Sequence, residues 1–390
     1  MDRTLTDVGA TEAMGDEVTR LRVWGTETAF ALPELPVARG PGPRSAAERK
    51  TIEWMVGASE TCEVQLSDPL RRVSRRHALL VGREAAPDAR LALGTVPPEG
   101  ARASRRDWVL RDAGSKNGLR ECGVRRAEIA LAPGTEVAVG GLTLVAEGPR
   151  AISLRNFLRR LLGWDEARAP EVDLAVRAVR LATGGREALR LRGEGDLTAI
   201  AWQLHRRVLG EQRPFVVCDP RRREVAASAR APASRTTAAA ALAIAGDGTV
   251  CAWEKRLPRD AEALRAAIGR GGSARLVLCD REVEPNAPEC AVVALPVLAT
   301  RAGELDRIIV EYAADAIVDL DAKLSSFTPA DREWVKKHEA ASLSEIDKAV
   351  RRLVALREDP NLARAATRLG MTRVALSEWA SRRPLPSRGR

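Results

Sequence analysis

The chain has 390 residues, enough for two or three domains, because single domains commonly span about 100–200 residues. Its 63 Lys and Arg exceed its 53 Asp and Glu, and the net charge of +10 suits an anionic partner. Six widely spaced cysteines with no CxxC pair argue against a disulfide framework and a zinc site. Neither an apolar leader nor a membrane-length apolar run is found, so we expect a cytoplasmic protein.

Residues 19–148 form short, alternating apolar runs separated by turn residues, a pattern that predicts an all-β sandwich. Two polar segments, 36–49 and 85–107, are predicted to be inserted, mobile loops. The runs that define the pattern include 21–24, 51–56, 108–110 and 142–145.

Two motifs lie within this sandwich, Ser74-Arg75-Arg76-His77 and Ser115-Lys116-Asn117-Gly118. Together they resemble the phosphothreonine-reading loops of a forkhead-associated (FHA) domain. The resemblance implies a partner that contains phosphothreonine, either a Ser/Thr kinase or its substrate. It also implies roles for these residues: Ser74 donates to the phosphate, Arg75 lines the pocket and His77 braces the loop. Asn117 bonds the peptide backbone, Gly118 permits the turn, and Lys116 is also expected to bind the phosphopeptide.

One position departs from the FHA pattern. Gly57-Ala58 stands where the family has Gly-Arg, so the arginine that clamps the phosphate is missing. A hydrogen bond to a charged group contributes about 1.5–3 kcal/mol, so this loss weakens binding by roughly ten- to a hundredfold. Compensation by Arg71, Arg72 or Arg75 is one alternative. An interaction module without phosphate dependence is the other.

Residues 151–325 alternate between buried-strand runs and helical stretches, which predicts a parallel α/β sheet. The predicted strands are 215–218, 250–253, 276–279 and 292–295, and the predicted helices are 197–209, 259–269 and 303–318.

The segment from Gly193 to Ala201 resembles the phosphate loop of the AAA+ ATPase domain in bacterial enhancer-binding activators, which have a GESGTGKE-type sequence there. Leu197 takes the lysine position, and Trp253 replaces the Walker B aspartate beside a retained Glu254. The alanine-rich segment 226–245 lacks the GAFTGA loop, and Ser344 replaces the sensing arginine. These losses predict a degenerate, non-hydrolysing scaffold without cofactor or metal, with nucleotide binding without turnover as the alternative.

Residues 329–384 show helical periodicity throughout, which predicts an all-α region. Ser342 caps a helix whose apolar stripe either packs or dimerises. Asn361 to Leu376 resembles the NLxRAAxxLGISRxTL pattern of a Fis-type helix-turn-helix, and residues 361–390 carry a net charge of +6 from seven arginines and Glu378.

This resemblance implies DNA binding, with a solvated arginine face on a helical bundle as the alternative. Trp379 is expected in the core. The core positions are Ala365, Leu369, Met371 and Leu376. The expected major-groove residues are Thr372, Arg373, Val374 and Ser377, and the expected phosphate contacts are Arg364, Arg368, Arg382 and Arg383.

The order of the three regions predicts a phosphothreonine-sensing, DNA-binding transcriptional regulator with an ATPase-dead centre. No acid, base and nucleophile occur at a recognisable spacing, so we expect no enzyme. An FHA adaptor that recruits phosphoproteins without binding DNA is the main alternative, and an ATP-driven remodelling enzyme is a third. Fis-type modules usually form pairs, and the sequence leaves open whether this chain forms a homodimer.

Overall fold

A computed structural model describes residues 17–33, 51–84, 106–184, 187–227, 231–267, 274–281, 291–359, 361–382 and 384–386. The chain divides into two compact units, residues 1–155 and residues 156–390. The predicted loops 36–49 and 85–107 lie outside the described residues, apart from positions 106 and 107, and so does Arg383.

The first unit is a sandwich of two β-sheets, as the alternating runs predict. One sheet has the order β2-β1-β11-β10-β7-β8 and the other β4-β3-β5-β6-β9. The strands are Arg20–Val23 (β1), Ala29–Ala31 (β2), Ile52–Gly57 (β3), Val64–Gln65 (β4), Ala78–Glu84 (β5), Arg106–Asp112 (β6), Leu119–Glu121 (β7), Val124–Arg126 (β8), Glu128–Leu131 (β9), Glu136–Val139 (β10) and Leu142–Glu147 (β11).

Period-2 alternation places the core of this sandwich. In β9 and β10 every second side chain is buried, because successive side chains of a strand point to opposite faces. Trp108 is 2% exposed and packs with Leu80, Leu110 and Val139 between the sheets. Each such burial contributes about 1.5–3 kcal/mol, so the two inner faces hold the sheets together and fix the strand ends that carry the loops.

The second unit contains a six-stranded sheet in which every pairing is parallel, as predicted. Its order is β14-β13-β15-β16-β12-β17. The sequence did not predict β12, whose apolar residues alternate with arginines, nor the short β14. The strands are Leu189–Arg192 (β12), Phe215–Cys218 (β13), Ala233–Arg235 (β14), Thr249–Trp253 (β15), Arg275–Asp280 (β16) and Val292–Ala294 (β17).

Helices occur at the predicted stretches 197–209 and 303–318, and within the described part of the stretch 259–269 residues 262–267 are helical. Asp260 instead caps a neighbouring helix by accepting from the N–H groups of Ala238 and Ala239. The helices are Pro149–Leu162 (α1), Ala169–Thr183 (α2), Leu197–Leu209 (α3), Ala238–Ala245 (α4), Glu262–Ala267 (α5), Leu305–Asp319 (α6), Pro329–His338 (α7), Leu343–Glu358 (α8), Leu362–Leu369 (α9) and Arg373–Ser381 (α10).

Helix α8 is the centre of the helical region and contacts α6, α7 and α9. Ser342 caps it by accepting a hydrogen bond from Glu345 N. Its stripe residues Ile346, Val350 and Leu353 are buried within the chain. The stripe therefore packs intramolecularly, which was one of the two predicted outcomes.

Within the described part of the chain, no helix has both the length and the apolar composition required to span a bilayer.

His205 on α3 is buried against the sheet with both ring nitrogens engaged. Its Nε2 lies 2.9 Å from Arg213 O and its Nδ1 lies 2.8 Å from Thr249 Oγ1. A carbonyl only accepts, so Nε2 carries the hydrogen and Nδ1 accepts from the hydroxyl. Burial lowers the pKa of His205, and the positive charges of Arg275 and Arg213 add to this effect.

We predict that His205 makes the second unit less stable in acid. The unfolded ring has a pKa of about 6.5 and the folded ring a lower one, so the unfolded state binds more protons as pH falls below that value. The unfolding free energy should therefore decrease from pH 7 to pH 5. The unfolding free energy of His205→Gln, measured by urea denaturation, should decrease less over the same pH range. Its value at pH 7.5 serves as the control, because it gives the effect of losing the bond to Thr249. An equal pH dependence in both proteins would contradict this.

Candidate functional site

The buried ring of His77 ties together two loops at one end of the sandwich. Its side chain has no exposed surface. Ser74 N donates to Nδ1 at 3.0 Å, so Nε2 carries the hydrogen and donates to Gly118 O at 3.2 Å. The segment 74–77 and the segment 115–118 are thereby held at a fixed separation, which is the bracing role expected of this histidine.

A second connection between the loops runs through the hydroxyl of Ser74. Lys116 N donates to Ser74 Oγ at 3.2 Å. Because the oxygen is the acceptor in this bond, the hydroxyl hydrogen remains available to a ligand. Gly118 has a φ of +70° and donates to Ser115 Oγ at 2.9 Å, so the tight turn expected at this glycine is formed.

Asn117 forms a third connection. Its Nδ2 donates to Arg72 O at 2.7 Å, which leaves its side-chain oxygen for a ligand. The segment that carries Arg72 is itself folded around Asp68, whose carboxylate accepts from the N–H groups of Leu70, Arg72 and Val73. Desolvation raises the pKa of Asp68, but these bonds outweigh it and hold the pKa below its usual value.

A cavity of about 450 Å³ opens between these loops. Four of its side chains are cationic and none is acidic. Arg75, which was expected to line the pocket, does not line it; its side chain is exposed, and its carbonyl accepts from Ser59 N at 3.0 Å. The lining residues are Leu70, Arg71, Arg72, Lys116, Asn117, Gly118, Arg120, Ala138 and Gly140.

Position 58 has alanine where the FHA pattern has arginine, and this small side chain packs against the sandwich core. Ala58 N donates to Ser74 O at 3.1 Å. Next to it, a Cβ on Gly57 would lie 2.2 Å from Arg75 O, so only glycine allows the end of β3 to approach the loop this closely. The backbone of the expected site is therefore in place without the clamping side chain.

The predicted helix-turn-helix consists of α9, a turn and α10. Asn361 caps α9, Gly370 ends it with a φ of +68°, and Thr372 caps α10 by accepting from Ala375 N. Ala365 and Leu376, two of the expected core residues, are buried. The other two expected core residues, Leu369 and Met371, are half-buried.

The expected groove-facing residues lie at the exposed start of α10. Thr372, Arg373, Val374 and Ser377 are all exposed, and Val374 is 65% exposed. Trp379, by contrast, is buried 5.7 Å from the ring of Trp334 and serves packing, as expected.

The described arginines that were predicted to contact DNA phosphates differ in exposure and in their bonds. Arg364 and Arg382 are exposed. Arg368 is half-buried, and its guanidinium pairs with Asp359 at 2.5 Å and also donates to Leu320 O. This arginine therefore has an intramolecular structural role that the sequence did not reveal.

The Gly193–Asp196 loop, which resembles a phosphate loop in sequence, connects β12 to α3. Leu197 is fully buried at the lysine position. The next residue, Thr198, accepts at Oγ1 from Trp253 Nε1 at 3.1 Å. Glu254, the retained carboxylate, pairs with Arg190. Thr198 and Glu254 are therefore both bonded to other side chains of the protein.

The start of α8 covers the same loop. A Cβ on Gly195 would lie 2.9 Å from Ser342 Cβ, and Asp196 N donates to Ser344 Oγ at 3.0 Å. Lys348 Nζ pairs with Asp196 Oδ2 at 2.8 Å. Burial raises the pKa of Asp196, but the bond and charge of Lys348 outweigh burial and lower it. The backbone N–H and the carboxylate of Asp196 are therefore both bonded to side chains of α8.

No cluster of three or more His, Cys, Asp or Glu side chains suited to a metal ion occurs among the residues that the structure describes. Four of the described cysteines are buried thiols, while Cys122 is exposed at the turn between β7 and β8.

The first unit is thus a two-sheet sandwich that presents a braced pair of loops and a cation-lined cavity at one end. The family model of the FHA domain matches residues 54–140, which contain both motifs, so this part of the chain is an FHA domain. The match does not extend beyond residue 140, and the ATPase and Fis-type resemblances of the later regions stay predictions.

Solved structures similar to this chain include an FHA domain from Chlamydia trachomatis, with 20% identity over 33% of this chain and 94% of that one, at a TM-score of 0.21. Mycobacterium tuberculosis EmbR in complex with a low-affinity phosphopeptide is 16% identical over 34% and 24% of the two chains, with a TM-score of 0.21. NtrX from Brucella abortus in complex with ATP is 13% identical over 55% and 73%, with a TM-score of 0.29. The comparison with curated proteins gave no match.

Proposed function

We propose that this chain is a regulator that binds a phosphothreonine-containing partner through its FHA domain and DNA through its helix-turn-helix. The observation that carries the first part is the pair of loops braced by His77, which presents the Ser74 hydroxyl beside a cavity with four cations. The partner is a Ser/Thr kinase or its substrate.

The chemistry of the loop pair suits a phosphate. A phosphothreonine carries about −1.5 to −2 charges and three acceptor oxygens, which require convergent donors and positive charge. Ser74 offers a hydroxyl hydrogen, and Lys116 and Arg72 supply cations on the two loops that meet there. Because position 58 has alanine instead of the family's arginine, Lys116 and Arg72 supply the electrostatic attraction for the phosphate.

The first test is the Ser74→Ala variant. It removes the donor and also the acceptor for Lys116 N, so we expect affinity for a phosphothreonine peptide to fall about tenfold or more, as for a bond to a charged group. Fluorescence anisotropy with phosphorylated and unphosphorylated peptides measures this.

The matched control is Arg83→Ala, an exposed arginine near the opposite end of β5, roughly 17 Å from Ala78 at about 3.3 Å per residue. Its affinity should equal that of the unmodified chain. Equal binding of both peptide forms by the unmodified chain would instead favour an FHA module without phosphate dependence.

DNA binding is the second part of the proposal. The exposed first turn of α10 supports it, because a recognition helix contacts base edges through its N-terminal residues. The net charge of +6 over residues 361–390 supplies attraction for the phosphate backbone. The ion pair of Arg368 with Asp359 favours the alternative, a phosphoprotein adaptor that does not bind DNA, since it commits one of the expected cations.

The Arg373→Ala variant distinguishes these two functions. Arg373 is the first residue of α10 and is exposed, so its loss should raise the Kd for a genomic fragment selected with the intact chain by roughly tenfold. Arg265→Ala, at an exposed site on α5, is the control. Gel shifts at fixed salt that are the same for both variants would rule out α10 as the DNA contact, and the failure to detect any selected fragment would support the adaptor.

We further propose that the α/β region is a scaffold that does not hydrolyse ATP. Three substitutions support this: Leu197 supplies no charge for phosphates, Trp253 bonds Thr198 directly, and Ser344 bonds the loop where relatives carry an arginine. Phosphoryl transfer depends on charge neutralisation by such a lysine, arginine and metal.

The purified chain is expected to release no phosphate from ATP above background with magnesium present. Glu254→Gln should give the same value, since Glu254 is paired with Arg190. Magnesium-dependent hydrolysis that disappears in Glu254→Gln would instead identify a remodelling ATPase.

A further inference from the structure

We propose that the exposed face of α6 pairs with the same face of a second copy of this chain. The two helices run antiparallel and cross at Ala314. We call this surface the α6 face, and it consists of Arg307, Val310, Ala314, Val318 and Asp321. The inference goes beyond the proposed function, because it concerns a surface that neither phosphothreonine binding nor DNA binding uses.

The first argument is that the α6 face is apolar where a helix normally meets solvent. The other side of α6 is buried within the chain, against α8 and α7. A helix with one buried side usually carries polar residues on the opposite side. Here Val310 is 49% exposed and Val318 is 79% exposed, and Ala314 between them is exposed as well. Apolar side chains that share one exposed face indicate a surface that another molecule covers.

The second argument is the symmetric spacing of the face about Ala314. At about 3.6 residues per turn, Arg307, Val310 and Val318 all point within roughly 40° of the direction of Ala314. Val310 and Val318 lie four residues before and after Ala314, and Arg307 and Asp321 lie seven residues before and after it. A two-fold symmetry axis at Ala314 therefore brings Val310 next to the second copy's Val318, and Arg307 next to the second copy's Asp321.

The third argument is that the charges at the two ends of the face are opposite in sign. The side chain of Arg307 is 56% exposed, and Asp321, just beyond the C-terminal end of α6, is also exposed. Arg307 contacts Glu311 at 3.3 Å and lies over the ring of Trp164 at 4.3 Å, so its guanidinium still has N–H donors for a further carboxylate. A symmetric interface requires such self-complementarity, whereas an unrelated partner does not. The charges therefore favour a second copy as the occupant.

The small side chain at the centre lets the two helices approach closely. Packed helices lie about 8–10 Å apart, depending on the side chains at the contact, and an alanine allows the shorter distance. The flanking valines can then reach the opposite helix. A face of 15 helical residues is roughly 22 Å long and covers less area than a stable dimer interface, so we expect an association in the micromolar range.

The C-terminal end of α6 is bonded to the helix-turn-helix, because Arg368 of α9 donates to Leu320 O. Pairing through α6 would therefore join two helix-turn-helix segments in one assembly.

Sedimentation equilibrium of the intact chain, without DNA or phosphopeptide, measures the association. Val318→Asp should raise the dimer Kd by about tenfold or more, because it places a carboxylate in the apolar contact twice over. Leu174→Asp is the matched control, since Leu174 is an apolar residue of α2 with 52% exposure, and its Kd should stay within about twofold of the unmodified value. Thermal midpoints verify that each variant is folded.

A reciprocal exchange of charge tests whether the partner is a second copy. Arg307→Asp alone and Asp321→Arg alone should each raise the Kd about tenfold, because each brings like charges together at both symmetric contacts. A mixture of these two variants should form heterodimers with a Kd within about threefold of the unmodified chain, since every contact in the mixed pair joins opposite charges again. Energy transfer between donor-labelled and acceptor-labelled chains measures the mixed pair.

A chain that remains monomeric at about 200 μM overturns the proposal, because the expected Kd lies below that concentration. A dimer whose Kd is unchanged in Val318→Asp, or charge variants that fail to associate when mixed, would also overturn it and would assign any pairing to another surface. Phosphopeptide and DNA affinities do not enter these measurements, so such a failure leaves the proposed function standing.

Discussion

The recognition end of the chain depends on one buried imidazole. His77 accepts from Ser74 N and donates to Gly118 O, so a single neutral tautomer joins loops that are about forty residues apart in sequence. The groups available to a ligand, the Ser74 hydroxyl and the Asn117 side-chain oxygen, lie on the two loops that this bridge joins. Removal of the ring would leave a buried N–H and a buried carbonyl without partners, which costs about 1–3 kcal/mol for each group.

In the second unit, the loop between β12 and α3 and the start of α3 have protein partners: Trp253 bonds Thr198, Ser344 bonds Asp196 N, and Lys348 pairs with the Asp196 carboxylate. Buried polar groups require partners, so these bonds hold the loop in place. They support the proposal that this region does not hydrolyse ATP. Helix α8 contacts both this loop and α9.

Local sequence patterns predicted the all-β sandwich, the parallel sheet and the helical C-terminal region, whereas β12 and β14 were not predicted. The bonds of Ser74, His77 and Asn117 follow from motifs whose spacing fixes which loop carries them. Patterns did not predict the cavity, because Arg71 and Arg120 come together only when three loops meet.

Two other predictions missed contacts that local sequence patterns do not reveal. Arg368 was predicted to contact phosphate, but the carboxylate that pairs with it, Asp359, precedes the break between two helices and gave no sign of this role. Arg75 was expected in the pocket from its place in the motif. Its side chain is exposed instead, while its carbonyl accepts from Ser59 N and Cys62 Sγ.

We propose the loop pair braced by His77 as the phosphothreonine-binding surface. NMR titration of the deuterated, ¹⁵N-labelled chain with a phosphothreonine peptide tests this proposal. The largest amide shifts should occur at Ser74, Lys116, Asn117 and Gly118, and they should vanish when the peptide is dephosphorylated. Shifts that are confined to other surfaces, or that are identical for the two peptide forms, would contradict it.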